Sequence, residues 1–348
     1  MSAERFNVVF HPSWWNQNCD IDFSEPFWEN PEVRIKADVR MRRELYRRFG
    51  VWGLGEKDPQ PRPILGSDML ACGFLTSMIM GCKVRFSPND APEVLCANLD
   101  DTASASLRVP DFDTNPAWKM IQEQIDRMQK QYGYVETCMD FNGIQNLALD
   151  LRGQNLFLDY YDEDSSAGHL LDICYEVTRQ TCRRLLNVSP HISAGVSNIV
   201  RTVLPEVVLH SNCSVEMISE QTYRQWLLPY EIRLAEEFPV YGIHHCGQSM
   251  QHVVKAYAEV PNLRLAEVGA FSDLAAVAKA LPPDIRINAR YSPVRLRKVT
   301  DGDLYTELKQ MTETVPGQRL SISCVGIDSA VPDERIERFC AYCTELLQ

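Results

Sequence analysis

The sequence lacks a long apolar run, a secretion signal and an excess of positive charge. Its longest apolar stretch, residues 69–82, is interrupted by Gly73 and Thr76 and is too short to cross a bilayer. Residues 1–15 contain no apolar centre of the kind that a signal peptide requires. The 35 Lys and Arg residues are outnumbered by 47 Asp and Glu residues, which argues against a nucleic-acid footprint or a polybasic anchor. We therefore expect a cytoplasmic protein that binds neither nucleic acid nor membrane.

Internal repeats, low-complexity tracts and Gly/Ser linkers are absent as well. No GxGxxG motif follows an early strand, which argues against a dinucleotide-binding sheet. The 348 residues, 45% apolar and 24% charged, are enough for one large barrel or two ordinary domains. In a cytoplasmic protein the twelve cysteines are expected to be reduced thiols or metal ligands and not disulfides.

Short apolar runs alternate with long amphipathic segments along the chain. Eight runs resemble strands, namely residues 6–10, 64–70, 135–139, 203–209, 240–244, 263–268, 285–289 and 320–324. Helix-like stretches lie between most of them, at residues 29–49, 115–131, 164–186, 219–238 and 303–314. Because parallel strands are joined by helical crossovers, this order predicts an α/β fold, a (β/α)8 TIM barrel. An open, doubly wound sheet would give a similar pattern.

The first hundred residues follow this alternation less closely. They contain Trp14, Trp15 and Trp28 and a Pro-rich stretch at residues 59–63. We interpret residues 12–60 as a helical cap on a single barrel domain that spans residues 1–348, and not as an independent domain.

The segment VYGIHHCG, residues 240–247, contains the most informative pattern for chemistry. Side chains alternate along a strand, so His244 and Cys246 point to the same side and His245 to the other. Gly247 allows a sharp turn directly after this pair. A His-x-Cys pair at a strand end is therefore a candidate half of a metal site.

Two further candidate ligands end other strand-like runs. Cys324 ends the run at residues 320–324 and Glu267 lies near the end of the run at residues 263–268. Since the carboxyl ends of barrel strands share one rim, both could converge with His244 and Cys246. An imidazole, two thiolates and a carboxylate are a zinc ligand set.

Other interpretations of these residues stay open. Cysteine is among the most buried residue types, and a histidine at a strand end is often a hydrogen-bonded core residue. Two other sets compete as metal ligands, His210 with Cys213 and Cys340 with Cys343. The first set lies at another predicted strand end and could line the same rim. The second lies at i, i+3 on a helix, where packing is the expected role.

From about residue 60 onward the sequence resembles the uroporphyrinogen decarboxylase superfamily, and within it the branch of corrinoid methyltransferases of the methylcobamide:coenzyme M type. The resemblance rests on four segments: ILGSDMLACGFLTSMIMGCKVRF, GIQNLALDLRGQNLFLDYYDE, HHCGQS and SCVGIDSAVPDERI. The His-x-Cys-Gly motif together with a late cysteine is typical of the methyltransferase branch. The other two segments indicate the superfamily only.

The resemblance implies a zinc ion bound by His244, Cys246 and Cys324. It also implies that Glu267 fills the fourth position until a substrate thiol displaces it. No D-x-H-x-x-G motif of a cobalamin-binding module is present, so the corrinoid is expected to arrive on a separate protein that docks over the barrel rim. The expected reaction is methyl transfer between that corrinoid and a thiol or another small acceptor or donor.

Three more residues are candidates for catalytic roles. Asp68 matches an aspartate of the decarboxylases and could orient a substrate or a ligand imidazole, although it could equally cap the following helix. Asp150 stands where the decarboxylases have a tyrosine. His210, with Asn212 and Glu216 nearby, could line the mouth of the site or could cap the following helix.

Two alternatives to methyl transfer remain at this point. One is a metal-free decarboxylase related to uroporphyrinogen decarboxylase, but the arginine-bearing segment MRQAGR of those enzymes is absent. The other is a barrel that binds a ligand without catalysis. A purely structural zinc site would need four protein ligands.

Overall fold

The strands form a mostly parallel α/β arrangement. The computed structural model describes residues 5–139, 142–163, 165–189 and 202–348. The strands in these residues are β1 Phe6–Phe10, β2 Ile64–Gly66, β3 Lys83–Ser87, β4 Asp90–Leu95, β5 Glu136–Cys138, β6 Val208–Ser211, β7 Tyr241–His245, β8 Leu263–Val268, β9 Arg286–Tyr291 and β10 Leu320–Ile327.

Helices connect and cover these strands. The α-helices of the described residues are α1 Pro12–Cys19, α2 Glu25–Glu29, α3 Pro31–Phe49, α4 Leu75–Ile79, α5 Asp101–Ser106, α6 Pro116–Tyr132, α7 Ile144–Arg152, α8 Asn155–Asp159, α9 Ala167–Leu186, α10 Glu220–Trp226, α11 Leu228–Glu237, α12 Val254–Tyr257, α13 Leu274–Ala280, α14 Pro293–Lys298, α15 Asp301–Thr314 and α16 Asp333–Leu346. None of the helices searched in this part of the chain combines the length and apolarity needed to cross a membrane.

The main sheet is a curled half-barrel of six parallel strands. Its order is β1-β10-β9-β8-β7-β6, whereas β2 and β5 form a separate parallel pair and β3 and β4 an antiparallel hairpin. In the described residues the strand ladder is not continuous from β1 to β2 or from β5 to β6. The parallel α/β architecture agrees with the prediction, but closure into eight strands is not shown. Strands β2 and β5 have only three residues each and offer few backbone groups to a second neighbour.

The two faces of the six-stranded sheet bury different residues. Leu209 and Leu265 pair with Gly242 across three strands, and with Val207 the two leucines fill the concave side near the amino ends. A Cβ atom at Gly242 would lie 2.8 Å from the side chains of both Val207 and Leu209, so a larger residue would require these side chains to move. We call this side the inner face. The opposite, outer face packs against the helices and belongs to the large apolar core.

The predicted strands and helices correspond to observed ones with shifted ends. Strands β1 and β8 have the predicted bounds, and β10 continues three residues beyond the prediction. Strand β6 begins at Val208 and not at residue 203, because Pro205 cannot donate to a strand ladder. The predicted helix at 219–238 is divided at Leu227, since Pro229 cannot occupy a helix interior.

Two other sequence expectations differ from the structure. The hairpin of β3 and β4 was not predicted, because the alternation in β3 covers only five residues and Pro92 interrupts the pattern of β4. The predicted start of α9, Asp164, lies outside the described residues.

The segment predicted as a cap, residues 12–60, contains helices α1 to α3. Trp14 and Trp15 are buried, and the rings of Phe10 and Trp14 lie 4.0 Å apart, which ties α1 to strand β1. The fully buried Arg34 donates to the carbonyl oxygens of Phe27 (3.1 Å) and Ile64 (2.8 Å). The helices of this segment therefore share one apolar core with the strands.

Candidate metal centre

Strand β7 delivers the His-x-Cys pair to the carboxyl end of the sheet. His244 lies on the inner face, opposite Ser211 of β6 and Glu267 of β8, and is 1% exposed. Cys246 follows the last residue of the strand and is exposed. At Gly247 a Cβ would lie 2.4 Å from a carboxylate oxygen of Glu216 and 3.1 Å from the carbonyl oxygen of Cys213, so the backbone here packs closely against the segment after β6.

Cys213 is the third member of the cluster. In the described residues, Cys213, His244 and Cys246 form the group whose ligand atoms all lie within 4.8 Å of one another. The two sulfur atoms are 3.1 Å apart. Cys213 begins the 3-10 helix Cys213–Met217 directly after β6, and the amide of Asn212 donates to the carbonyl of His244 (2.7 Å). The ladder between β6 and β7 thus places the three side chains together.

The structure does not bring Cys324 to this cluster. Cys324 pairs with Tyr291, whose ring contacts Phe339 of α16, and so it lies on the outer face. It is fully buried and interacts electrostatically with Cys340 and Cys343 of the same helix. Burial raises its pKa, so this thiol stays neutral.

The predicted meeting of Cys324 with His244 and Cys246 is thus corrected for two reasons. Ser323, one residue earlier, occupies the inner-face position opposite Arg290. Strand β10 also continues to Ile327, so Cys324 lies within the strand and not at its end. Strand alternation excludes it from the inner face.

Glu267 lies beside the histidine and outside the group of ligand atoms. His244 Nδ1 and Glu267 Oε2 are 2.5 Å apart, and Arg290 Nε donates to Glu267 Oε1 at 2.8 Å. Glu267 is completely buried. The structure therefore places this carboxylate beside Nδ1 of His244, whereas the predicted fourth ligand position for Glu267 stays a prediction.

The charges of the cluster favour one anionic sulfur. The hydrogen bond with Cys213 lowers the pKa of Cys246 to about 3; burial opposes this shift, while His244 and Arg290 reinforce it. The same hydrogen bond, together with burial, raises the pKa of Cys213 to about 12. Burial lowers the pKa of His244, but Cys213, Glu267 and Cys246 outweigh it and hold that pKa well above its ordinary value. The protons held here are those that a metal ion would displace.

Asp68 and Asp150 lie outside the cluster. Asp68 accepts from both terminal nitrogens of Arg62, at 2.6 and 2.9 Å, and Asp38 shares the same guanidinium group. Asp150 of α7 accepts from the hydroxyl of Ser77 at 2.6 Å, and burial raises its pKa against this hydrogen bond. The bonds of Asp68 and Asp150 link helices, strands and loops of the fold.

His210 lies on the outer face of β6. Its Nδ1 and Glu231 Oε1 are 3.0 Å apart, and its Nε2 accepts the amide of Ile144 at 3.0 Å. Glu231 of α11 also accepts from Asn212 and Tyr241. Both ring nitrogens of His210 are therefore committed to a buried network that joins β6 to its neighbouring helices.

Two residues of the site were not predicted, Cys213 and Arg290. Cys213 had been noted only as a partner of His210 in a competing set. The signal that could have favoured it is its position after β6, the strand adjacent to β7. Arg290 lies one residue beyond the strand predicted at 285–289, and extending that strand would have placed it on the same face as Asn288 by alternation.

The fold and the site together define an α/β protein with a thiol and imidazole cluster at the carboxyl end of a parallel sheet. The sequence model of the family described as Uroporphyrinogen decarboxylase (URO-D) matches residues 64–346. This match spans more than half of the chain, which therefore belongs to the uroporphyrinogen decarboxylase family. A search of curated proteins gives no match.

Two solved structures are similar to this chain. A methyltransferase from Methanosarcina mazei superposes with a TM-score of 0.68 at 14% identity, covering 99% of this chain and 96% of that one. A candidate vitamin-B12 independent methionine synthase from Listeria monocytogenes gives a TM-score of 0.48 at 12% identity, with 90% and 87% covered. At these identities the first likeness shows the fold alone, and the second is too distant to support an argument.

Proposed function

We propose that this protein is a zinc-dependent methyltransferase built on a closed (β/α)8 barrel. It would move a methyl group between a corrinoid carrier and a thiol or another small acceptor or donor. The observation that supports this proposal is the grouping of Cys213, His244 and Cys246 at the carboxyl end of the sheet. Active sites of barrel enzymes are built at that end.

The donor set fits zinc by its chemistry. Two sulfur atoms and one imidazole nitrogen are ligands that zinc prefers, and thiolates disfavour magnesium and calcium. Because Glu267 engages Nδ1 of His244, Nε2 is the ring atom that would bind a metal, which would displace the proton held there. Catalytic zinc sites have three protein ligands and an open position, whereas structural sites have four. Cys213, His244 and Cys246 match the catalytic type.

The residues of the cluster would set the charge and the access of the site. A zinc ion held here would lower the pKa of a thiol bound to it and keep that thiol as the nucleophilic thiolate. Cys213 and Cys246 would contribute two negative charges, which balance the ion. Cys246 is exposed, so the site can be reached from the surface. A separate corrinoid protein is the proposed partner, and it would approach from this side.

Decarboxylation is the second candidate, because the matching family is described by that activity. Its expected carboxylate, Asp68, is engaged by Arg62 through both oxygens. Because Asp68 is paired with Arg62, its carboxylate is less free to bind a substrate than the exposed thiol of Cys246 is. We therefore place methyl transfer first.

Metal analysis of two cysteine variants tests the proposal. We expect about one zinc ion per wild-type chain, which is the stoichiometry of a three-ligand catalytic site. Cys213→Ala should lose zinc and at least about 100-fold of the rate of methyl transfer from methylcobalamin to a thiol, because one ligand is gone. Cys324→Ala is the matched control, since it removes a thiol from the outer face. This variant should keep its bound zinc and its rate of methyl transfer.

Three outcomes would contradict the proposal. Zinc loss from Cys324→Ala with retention in Cys213→Ala would restore the ligand set implied by the sequence resemblance. A wild-type protein that takes up no zinc would exclude the metal centre. A metal-free protein that decarboxylates a porphyrinogen would favour the second candidate.

A further inference from the structure

The buried carboxylate of Glu267 has partners on both oxygens. Oε2 lies 2.5 Å from Nδ1 of His244. Oε1 accepts from Arg290 Nε at 2.8 Å and from Asn288 Nδ2 at 3.4 Å. All four residues belong to the adjacent strands β7, β8 and β9, and their side chains share the inner face. A carboxylate held in this way is fixed in position by three neighbours.

Glu267 and Arg290 also balance each other in charge. An isolated carboxylate at zero exposure would be strongly disfavoured without a partner. Arg290 Nη2 lies 2.8 Å from Glu267 Oε1, in addition to the bond from Nε. The guanidinium of Arg290 thus offsets the burial of the carboxylate, whose other oxygen faces the imidazole of His244.

We propose that Glu267 and Arg290 are positioning residues that fix the ring orientation and the tautomer of His244 for metal binding. The carboxylate accepts a hydrogen bond from Nδ1–H, so Nε2 is the ring atom left to bind the metal. Arg290 holds the carboxylate in place from the adjacent strand β9. This inference rests on the proposed function, and it assigns Glu267 a role different from that of a displaceable ligand.

Zinc affinity is the first measurement, by competition with a chromophoric chelator. Glu267→Ala should weaken zinc binding about 10- to 100-fold, the range found when a partner of a metal-bound histidine is removed. Glu267→Gln keeps an acceptor for Nδ1 and should lose less. Arg290→Met should weaken binding, and Arg290→Lys should restore part of the loss. The matched control is Glu231→Gln, which alters another buried carboxylate bound to a histidine on the outer face and should leave zinc affinity unchanged.

Nuclear magnetic resonance of the zinc-free protein gives a second measurement that does not depend on activity. With 15N-labelled histidine, we expect a downfield Nδ1 proton for His244 that is absent in Glu267→Ala and retained in Cys213→Ala. A His244 ring without this proton would overturn the inference even if the wild-type protein binds zinc. If the wild-type protein binds no zinc, the proposed function is wrong. The Nδ1 proton resonance still shows in that case whether Glu267 fixes the orientation of His244.

X-ray absorption separates the positioning role from direct ligation. A zinc ion in Glu267→Gln should have the same number of sulfur and light-atom neighbours as in the wild-type protein. Loss of an oxygen neighbour in this variant would show that Glu267 is a ligand and would overturn the inference. Unchanged zinc affinity in Glu267→Ala would overturn it as well.

Discussion

Residues one position apart have opposite roles in this sheet. Ser323 faces inward and Cys324 faces outward, so the cysteine that was predicted as a ligand lies on the opposite face from His244. The same alternation separates His244 from His245, which bonds Tyr257 on the outer face at 2.9 Å. Side-chain direction, and not residue type, decides which thiols can share a metal ion.

A residue-scale prediction concerns Glu231. Burial raises its pKa, but His210, Tyr241 and Asn212 outweigh burial and lower it below the ordinary 4.5. Because the folded-state pKa is depressed, the stabilisation is fully present above about pH 4.5 and is lost as the pH falls below it. Glu231→Gln should therefore be less stable by about 2 kcal/mol near neutral pH, since hydrogen bonds to a charge are lost.

Urea unfolding at about pH 7 and about pH 4 checks this prediction. The wild-type protein should lose more free energy of unfolding on acidification than Glu231→Gln does. Equal losses in the two proteins would show that Glu231 contributes no pH-dependent stability. Zinc affinity should be the same in both at the higher pH.

At the scale of elements, the position of the candidate ligand Cys246 depends on the close contact between the loop after β7 and the loop after β8. The amide of Gly269 donates to the carbonyl of His245 at 2.8 Å and so extends the ladder beyond the strands. A Cβ at position 269 would lie 2.3 Å from the carbonyl oxygen of Gly247 and 2.9 Å from the carbonyl carbon of Cys246. The loop after β8 therefore sets the position of Cys246.

Gly269→Ala should displace the backbone at Cys246 and weaken zinc binding about tenfold or more, as misplaced ligands do. Chelator competition measures the loss. The control is Gly302→Ala near the start of α15, where a Cβ meets no atom within 4 Å and should leave zinc affinity unchanged. Wild-type affinity in Gly269→Ala would show that the loop adapts without moving Cys246.

At the scale of the whole molecule, the amino-terminal helices and the sheet share one core. Arg34 of α3 donates to carbonyls of α2 and β2 and, at 2.8 Å, to Gln124 of α6. Replacing it leaves several buried acceptors without a donor, and each such loss costs about 1–3 kcal/mol. The cap is thus bound to the sheet by polar as well as apolar contacts.

We expect one cooperative unfolding transition for this arrangement. Tryptophan fluorescence, to which Trp14, Trp15 and Trp28 contribute, should change together with far-ultraviolet circular dichroism in a urea titration. Arg34→Met should lower the midpoint of both signals equally, by about 3 kcal/mol or more in free energy. Two separate transitions, or a shift of fluorescence alone, would show that residues 12–60 unfold independently.

The sequence by itself determined the parallel α/β arrangement and two of the three residues of the thiol and imidazole cluster, His244 and Cys246. Apolar runs separated by amphipathic helices identify parallel strands, and a His-x-Cys pair at a strand end fixes two side chains on one face through local geometry alone. Both features depend only on residues that are close together in the sequence, so a single sequence is sufficient to predict them.

Only the tertiary structure decided that Cys213 joins the cluster and that Glu267 lies between His244 and Arg290. Each depends on the register between strands and on where a strand ends, and a shift of one residue moves a side chain to the opposite face. Cys213 lies in the cluster because β6 pairs with β7. Cys324 lies outside it because β10 continues to Ile327 and turns this side chain to the outer face. Pairing between distant segments is not encoded in local spacing, which is why the sequence left those choices open.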